Sequence, residues 1–202
     1  VTYGAGGSTR QGTQGLVQAM LPEKINAVPH LSIGGSSDAA LDQLVECYQG
    51  ISVARILCLP GARPSGDTSN HAHAKGLVER IQQRFPTQIE PAVAAYTKVH
   101  PDACSAMDDL AHLVAKVIAG ASYAITQCFY NPEACGYFLD RCAKAILPVT
   151  INPGILLITN INALQRFRAK GGANIPRWPA KSASSNASDN KGLVDFGVEV
   201  VE

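Results

Sequence analysis

Short apolar runs alternate along this chain with longer stretches that carry apolar residues at helical spacing, and this alternation limits the possible folds. The strand-like runs lie at 1–3, 27–31, 54–59, 92–96, 123–126 and 149–151. Helical patterns lie between and after them, at 11–20, 37–49, 73–85, 108–119, 132–145 and 160–170. Leu41, Leu44, Val45 and Tyr48 recur at the spacing of one helix face, as do Leu110, Leu113, Val114 and Val117. Ser37-Asp38 supplies a helix start, and Pro132 suits a first turn. Strand and helix alternating in units of about 25–35 residues call for βαβ repeats and a parallel sheet.

Two architectures satisfy that pattern, an open doubly wound sheet and a (β/α)8 barrel. A doubly wound sheet gathers ligand groups at one switch point, whereas a barrel draws them from the ends of many strands. Here nearly every run exits into polar or glycine-rich residues: Thr2-Tyr3-Gly4, His30, Gly61, Tyr96 with His100, Thr126-Gln127 and Asn152-Pro153-Gly154. The expectation is therefore a TIM-type barrel, incomplete over this length, with six or seven βα units visible. The 202 residues are expected to form a single domain. Residues 181–191 are expected to be a mobile Ser/Asn-rich loop, and 192–202 the start of a further helix. Val1-Thr2-Tyr3 reads as the end of a strand, so residues are expected upstream.

Composition narrows the function classes. A formal net charge of +1 offers no basic surface for nucleic acid or membrane, and no apolar run approaches a membrane span. Six scattered cysteines, none in a Cys-x-x-Cys pair and several in apolar stretches, suit a reduced, cytosolic protein without a zinc site.

Several motifs could carry chemistry. Gly4-Ala5-Gly6-Gly7-Ser8-Thr9-Arg10 lies between strand and helix, where backbone N–H groups can meet an anion; with Thr9 in place of the third glycine of a dinucleotide loop, an ordinary flexible turn is the favoured reading. Leu59-Pro60-Gly61-Ala62-Arg63-Pro64-Ser65-Gly66-Asp67 is a shaped loop followed by His71 and His73, two solvated histidines near a helix start rather than metal ligands. In the run from Ala92 to His100, small residues leave room for a flat ligand, and Tyr96 either stacks on one or caps the core. Asp109, His112 and Lys116 share a helix face that could hold a ribose and phosphates or could simply be solvated. Gln127 offers a donor and an acceptor to a heterocycle.

Taken in order, these segments resemble the bacterial type of methylenetetrahydrofolate reductase. The resemblance rests on Val1-Thr2-Tyr3-Gly4-Ala5, Pro29-His30-Leu31, Ala94-Ala95-Tyr96, Val99-His100-Pro101, Ala119-Gly120-Ala121, Ala124-Ile125-Thr126-Gln127, Asp140-Arg141-Cys142 and Pro153-Gly154-Ile155-Leu156. It implies a (β/α)8 barrel with non-covalent FAD, passing a hydride from NADH or NADPH to methylenetetrahydrofolate, in a cytosolic homo-oligomer. It further implies that Thr2 and His30 line the flavin and that Leu59 and Gly61 belong to the flavin loop. Tyr96 would lie at the ring, with Ile125 packed beside it, and His100, Asp109 and Lys116 would hold the ribose, adenine and phosphates. Gln127 would contact the pterin as the catalytic residue, and Phe167 would pack on folate or nicotinamide. Three departures stand out. Where the family's flavin loop reads Leu-Arg-Gly-Asp, this chain reads Leu59-Pro60-Gly61-Ala62, losing an arginine and a carboxylate. Family Asn and Arg positions on the flavin-binding helix are His112 and Ala115 here. The family's proton-donating acid belongs to a strand before Val1. Two other readings follow from these losses: a non-catalytic flavin- or folate-binding homologue, and a flavin-independent pterin one-carbon enzyme.

Overall fold

In a computed structural model, the structure describes residues 1, 10–33, 37–60, 70–100, 103–156, 194–195 and 198–199, with backbone only at 10, 11 and 70–73. The expected strand and helix at 1–3 and 160–170, the 181–191 loop and the 192–202 helix fall wholly or largely outside these residues. Five helices and five strands alternate: α1 (Arg10–Met20), β1 (His30–Ser32), α2 (Asp38–Gly50), β2 (Arg55–Leu59), α3 (Asn70–Arg84), β3 (Glu90–Ala95), α4 (Ala106–Ile118), β4 (Tyr123–Thr126), α5 (Pro132–Lys144) and β5 (Thr150–Asn152). Among the described residues, no helix is long and apolar enough to cross a membrane.

The strands form one sheet in the order β1-β2-β3-β4-β5. His30 pairs with Leu57 and Arg55 with Glu90, in parallel register. Sequential order decides between the two expected architectures. A doubly wound sheet reverses direction at its switch point, whereas a barrel adds each strand beside the last. The fold is thus a parallel α/β sheet of the TIM-barrel kind, not closed over the described residues. Val1 continues the order, because its amino group donates to Val28 O (2.6 Å) and its carbonyl accepts from His30 N–H (2.8 Å). This parallel bridge places the one described residue of the expected first strand beside β1.

The helix stripes do what their spacing requires. Leu41, Leu44, Val45 and Tyr48 of α2 are buried, as are Leu77, Val78 and Ile81 of α3. On α4, Leu113 and Val117 are buried, while Leu110 and Val114 are half-buried. Each such side chain contributes about 1.5–3 kcal/mol when fully buried. The Ser37 and Asn131 side chains accept from Ala40 N–H and Glu133 N–H, capping α2 and α5. α4 starts two residues earlier than expected, because Ser105 Oγ accepts from Asp108 N–H (3.1 Å) and Asp108 reaches back to Cys104 N–H (3.1 Å). That Ser-x-x-Asp signal is present in the sequence.

Four helices turn into the next segment in one way. After α1, α2, α4 and α5, the residues with positive φ are Lys24 (59°), Ser52 (64°), Gly120 (116°) and Ile146 (50°). In each case the following N–H closes a six-residue bond, as from Val53 to Tyr48 O and from Leu147 to Cys142 O. Only α4 uses glycine there.

By contacts the chain divides into two units, and the division falls within β3, β4 and β5. The first comprises Val1–Ala94, Ala111–Ala124 and Pro148–Thr150; the second comprises Ala95–Leu110, Ile125–Leu147 and Ile151–Glu202.

Within the first unit, Pro91 occupies β3 and brings no N–H. Its carbonyl accepts from Ser122 N–H, so in a parallel ladder its missing N–H would have faced Gly120 O. Gln82 Nε2 donates to that carbonyl instead (2.8 Å). The same unit holds Asp42, which is 7% exposed. Arg80 Nε and Nη2 grip its carboxylate at 2.7 and 2.8 Å, and Arg84 adds a third contact at 2.6 Å. The Arg80 hydrogen bond holds the Asp42 carboxyl below the usual carboxylate range. This clasp joins α2 to α3. All six cysteines are free thiols, and burial pushes the Cys58 thiol well above its ordinary value.

Candidate functional site

Five of the residues singled out from the sequence fall in the second unit: Tyr96, His100, Asp109, Ile125 and Gln127. β3 ends at Ala95 and β4 at Thr126, so Tyr96 and Gln127 are each the first residue past a strand. Gln127 N–H donates to Ala95 O at 2.8 Å, which extends the ladder one step beyond the strands. That bond sets the tyrosine and glutamine backbones side by side. The Tyr96 and His100 rings meet edge to face, with centroids 4.6 Å apart and planes at 83°. A T-shaped pair holds both rings in place. Both residues are half-buried. Asp109 lies in the first turn of α4, where its N–H donates to Ser105 O. Ile125 is half-buried between the buried Ala124 and Thr126, as the alternation of a strand dictates.

A third strand end joins the group. Gly154, two residues past β5, donates its N–H to Thr126 Oγ1 at 2.8 Å. Farther along, the Tyr130 hydroxyl donates to Leu156 O at 2.8 Å, and burial pushes the Tyr130 phenol up to about 12. In the sequence, Gly154 and Thr126 stand out as strand exits and as members of segments that carry the family resemblance, with no contact between them expected. A hydroxyl 28 residues from its partner leaves no local signature.

The first unit holds His30, Leu59 and Lys116. His30 opens β1 rather than closing it, because the regular strand runs from 30 to 32 where 27–31 was expected. Pro29 just before it has no N–H to give the ladder, although its carbonyl accepts from Leu57 N–H. Burial lowers the His30 imidazole to about 4. The ring is therefore neutral near pH 7 and can both donate and accept. Leu59 ends β2 opposite Ser32. Lys116 Nζ donates to Ala94 O at 2.7 Å, tying α4 to β3. Thr2, Gly61, Ala62 and Phe167 lie outside the described residues.

At their starts the strands carry a different cluster, also in the first unit. Arg55 Nε donates to Glu90 Oε2 (2.8 Å) and Nη2 to the Tyr123 hydroxyl (2.7 Å). The guanidinium carbon also sits 3.9 Å from the Tyr123 ring centroid. These groups open β2, β3 and β4 and satisfy one another.

Comparison with known proteins bears directly on this arrangement. The family model described as methylenetetrahydrofolate reductase matches residues 1–202. The 5,10-methylenetetrahydrofolate reductase of Escherichia coli is 35% identical over 182 residues, covering 90% of this chain and 61% of that protein. Its counterpart from Buchnera aphidicola of Schizaphis graminum is 34% identical over 179 residues, covering 88% and 61%. Methylenetetrahydrofolate reductase 2 of Schizosaccharomyces pombe is 28% identical, covering 98% of this chain and 34% of its own length. The chain thus spans about three-fifths of the bacterial relatives it matches. A sequential parallel sheet, polar residues at its strand ends and a match along the whole length agree: this chain belongs to the methylenetetrahydrofolate reductase family.

Proposed function

We propose that the protein reduces 5,10-methylenetetrahydrofolate to 5-methyltetrahydrofolate with NADH or NADPH, using bound FAD. The observation that carries this reading is the pairing of Tyr96 and Gln127 at adjacent strand ends, in a chain matched by the family throughout. The residue types fit a flavin nucleotide. Tyr96, braced by His100, offers an aromatic face for a flat ring. A neutral His30 can donate or accept at a heterocycle edge. Lys116 brings a positive charge and Asp109 a ribose acceptor; Thr2, Leu59, Gly61 and Ile125 complete the set by position. When bound, FAD supplies hydride chemistry, and the protein supplies binding, orientation and exclusion of water. Gln127 orients the pterin through its amide, and Phe167 packs against folate or nicotinamide. The protein is proposed to be cytosolic and homo-oligomeric, with residues 1–202 in one barrel domain.

The test is spectroscopic. Purified protein should carry a flavin spectrum that NADH or NADPH bleaches and methylenetetrahydrofolate restores. Bound flavin that never bleaches would instead support a non-catalytic homologue, the reading that Pro60 and Ala62 favour. Pterin turnover without flavin would point to a different one-carbon reaction.

A further inference from the structure

We infer that Thr126 and Gly154 are positioning residues that fix the peptide unit carrying Gln127, and through it the angle at which that glutamine meets the pterin. The inference rests on the reductase reading above and goes beyond it to two residues with no assigned role. Three contacts converge on one peptide bond, Thr126–Gln127. On one side, its N–H donates to Ala95 O at 2.8 Å. On the other, Gly154 N–H donates to Thr126 Oγ1 at 2.8 Å. Gly154 also backs onto the carbonyl of the same peptide, since a Cβ built there would run into Thr126 O and lie 3.3 Å from Cys128 N. Backbone atoms block that space, so a side chain at 154 can fit only if the peptide moves.

Thr126 is 3% exposed, so its hydroxyl has no ready exchange with water, and losing it leaves the Gly154 N–H without its acceptor. The Tyr130–Leu156 bond ties the same two loops a second time. The peptide is therefore held at its N–H, its carbonyl face and its neighbouring side chain. A side chain leaves its backbone along a direction that the adjoining peptide planes set. A small rotation of this peptide displaces the amide at the far end of Gln127 by more than it moves the backbone. Misplacement by about 1 Å can cost on the order of 100-fold in rate.

The experiment compares the parent protein with Thr126→Val, Thr126→Ser and Gly154→Ala in two measurements. In the first, rapid mixing separates NADH bleaching of the flavin from its reoxidation by methylenetetrahydrofolate. Thr126→Val should slow reoxidation about tenfold or more relative to bleaching, and Thr126→Ser, which keeps the oxygen, should restore the parent ratio. The second measurement needs no turnover. Amide hydrogen exchange at Gln127 should rise about tenfold in Thr126→Val and in Gly154→Ala but not in Thr126→Ser. Equal slowing of both half-reactions, or Gln127 exchange unchanged by Thr126→Val, would overturn the positioning role. A parent protein that neither bleaches nor reoxidises would overturn the reductase reading, while the exchange result would still judge the clamp.

Discussion

The two ends of the same parallel strands are built differently. At their starts, Arg55, Glu90 and Tyr123 spend their polar groups on one another, and Gln82 fills the ladder gap left by Pro91. At their ends, beyond Ala95, Thr126 and Asn152, the ties include backbone bonds, one threonine hydroxyl, one tyrosine hydroxyl and the Tyr96–His100 ring pair. Side chains such as Gln127, Asp109 and His100 are set out on that frame. The starts are closed by pairing among charged and phenolic side chains, whereas the ends combine backbone bonds with two hydroxyls and one ring pair. In parallel barrels the C-terminal ends carry the chemistry and the N-terminal ends carry stability. The contrast here follows that division, and it can be broken from either side.

The largest effect is expected at the start of β4. Gly120 has φ of 116°, and a Cβ there would meet Gln82 Cγ at 2.5 Å. Gly120→Ala should cost about 2–3 kcal/mol in urea unfolding, with activity per folded molecule unchanged. A milder loss would mean that the turn relaxes and that the strand starts are less rigid than the geometry implies.

At the strand ends the expected loss is in binding instead. Tyr96→Ala removes the ring that His100 braces and should weaken FAD binding about tenfold, close to 1.4 kcal/mol, in a fluorescence titration. Unchanged flavin retention would remove Tyr96 from the flavin site. Arg55→Met should cost about 1 kcal/mol of stability, discounted because its side chain is 36% exposed, and should leave flavin affinity alone. If Arg55→Met weakened flavin binding as much as Tyr96→Ala, the division between the two ends would fail.

His30 provides a pH test of the first unit. Its folded value is about 4 against an ordinary 6.5, so between those values the unfolded chain binds more protons than the folded one. Stability from this group is fully present above pH 6.5 and is lost as pH falls toward 4. Between pH 6.5 and 5 the parent should lose about 1 kcal/mol, allowing for the partly exposed ring, and His30→Gln should lose less. Identical slopes would show that the imidazole is not held neutral.

Much of this arrangement could be read from the sequence. Helix faces repeat every three to four residues, so Leu41, Leu44, Val45 and Tyr48 announced α2, and all four are buried. Tyr96 stood out because it ends a strand of small residues, and Gln127 because its amide offers a donor and an acceptor at a strand end. What escaped was contact between residues far apart in the chain. The bond from Gln82 to Gly120 spans 38 residues and that from Gly154 to Thr126 spans 28, and neither leaves a period or a spacing to detect. The His30 strand was misplaced by its proline, which ends the ladder's N–H supply while the extended backbone continues. The left-handed turns also escaped, since Lys24, Ser52 and Ile146 are not residues that mark such a turn.

Ile146 gives the smallest and cleanest test. It follows α5 with φ of 50°, a conformation that costs a β-branched residue about 1–2 kcal/mol. Its side chain is 87% exposed, so little packing offsets that cost. The turn itself is bound through backbone, from Ile146 N–H to Ala143 O and from Leu147 N–H to Cys142 O, and any residue can supply those groups. Glycine at 146 removes the steric conflict but leaves a more flexible unfolded chain, which takes back part of the gain. Ile146→Gly should therefore raise stability by about 0.5–1 kcal/mol in urea unfolding, with flavin affinity unchanged. A stability loss would mean that the exposed isoleucine makes a contact worth more than its strain. The turn into β5 would then be held by its side chain, unlike the turn at Gly120 that feeds β4.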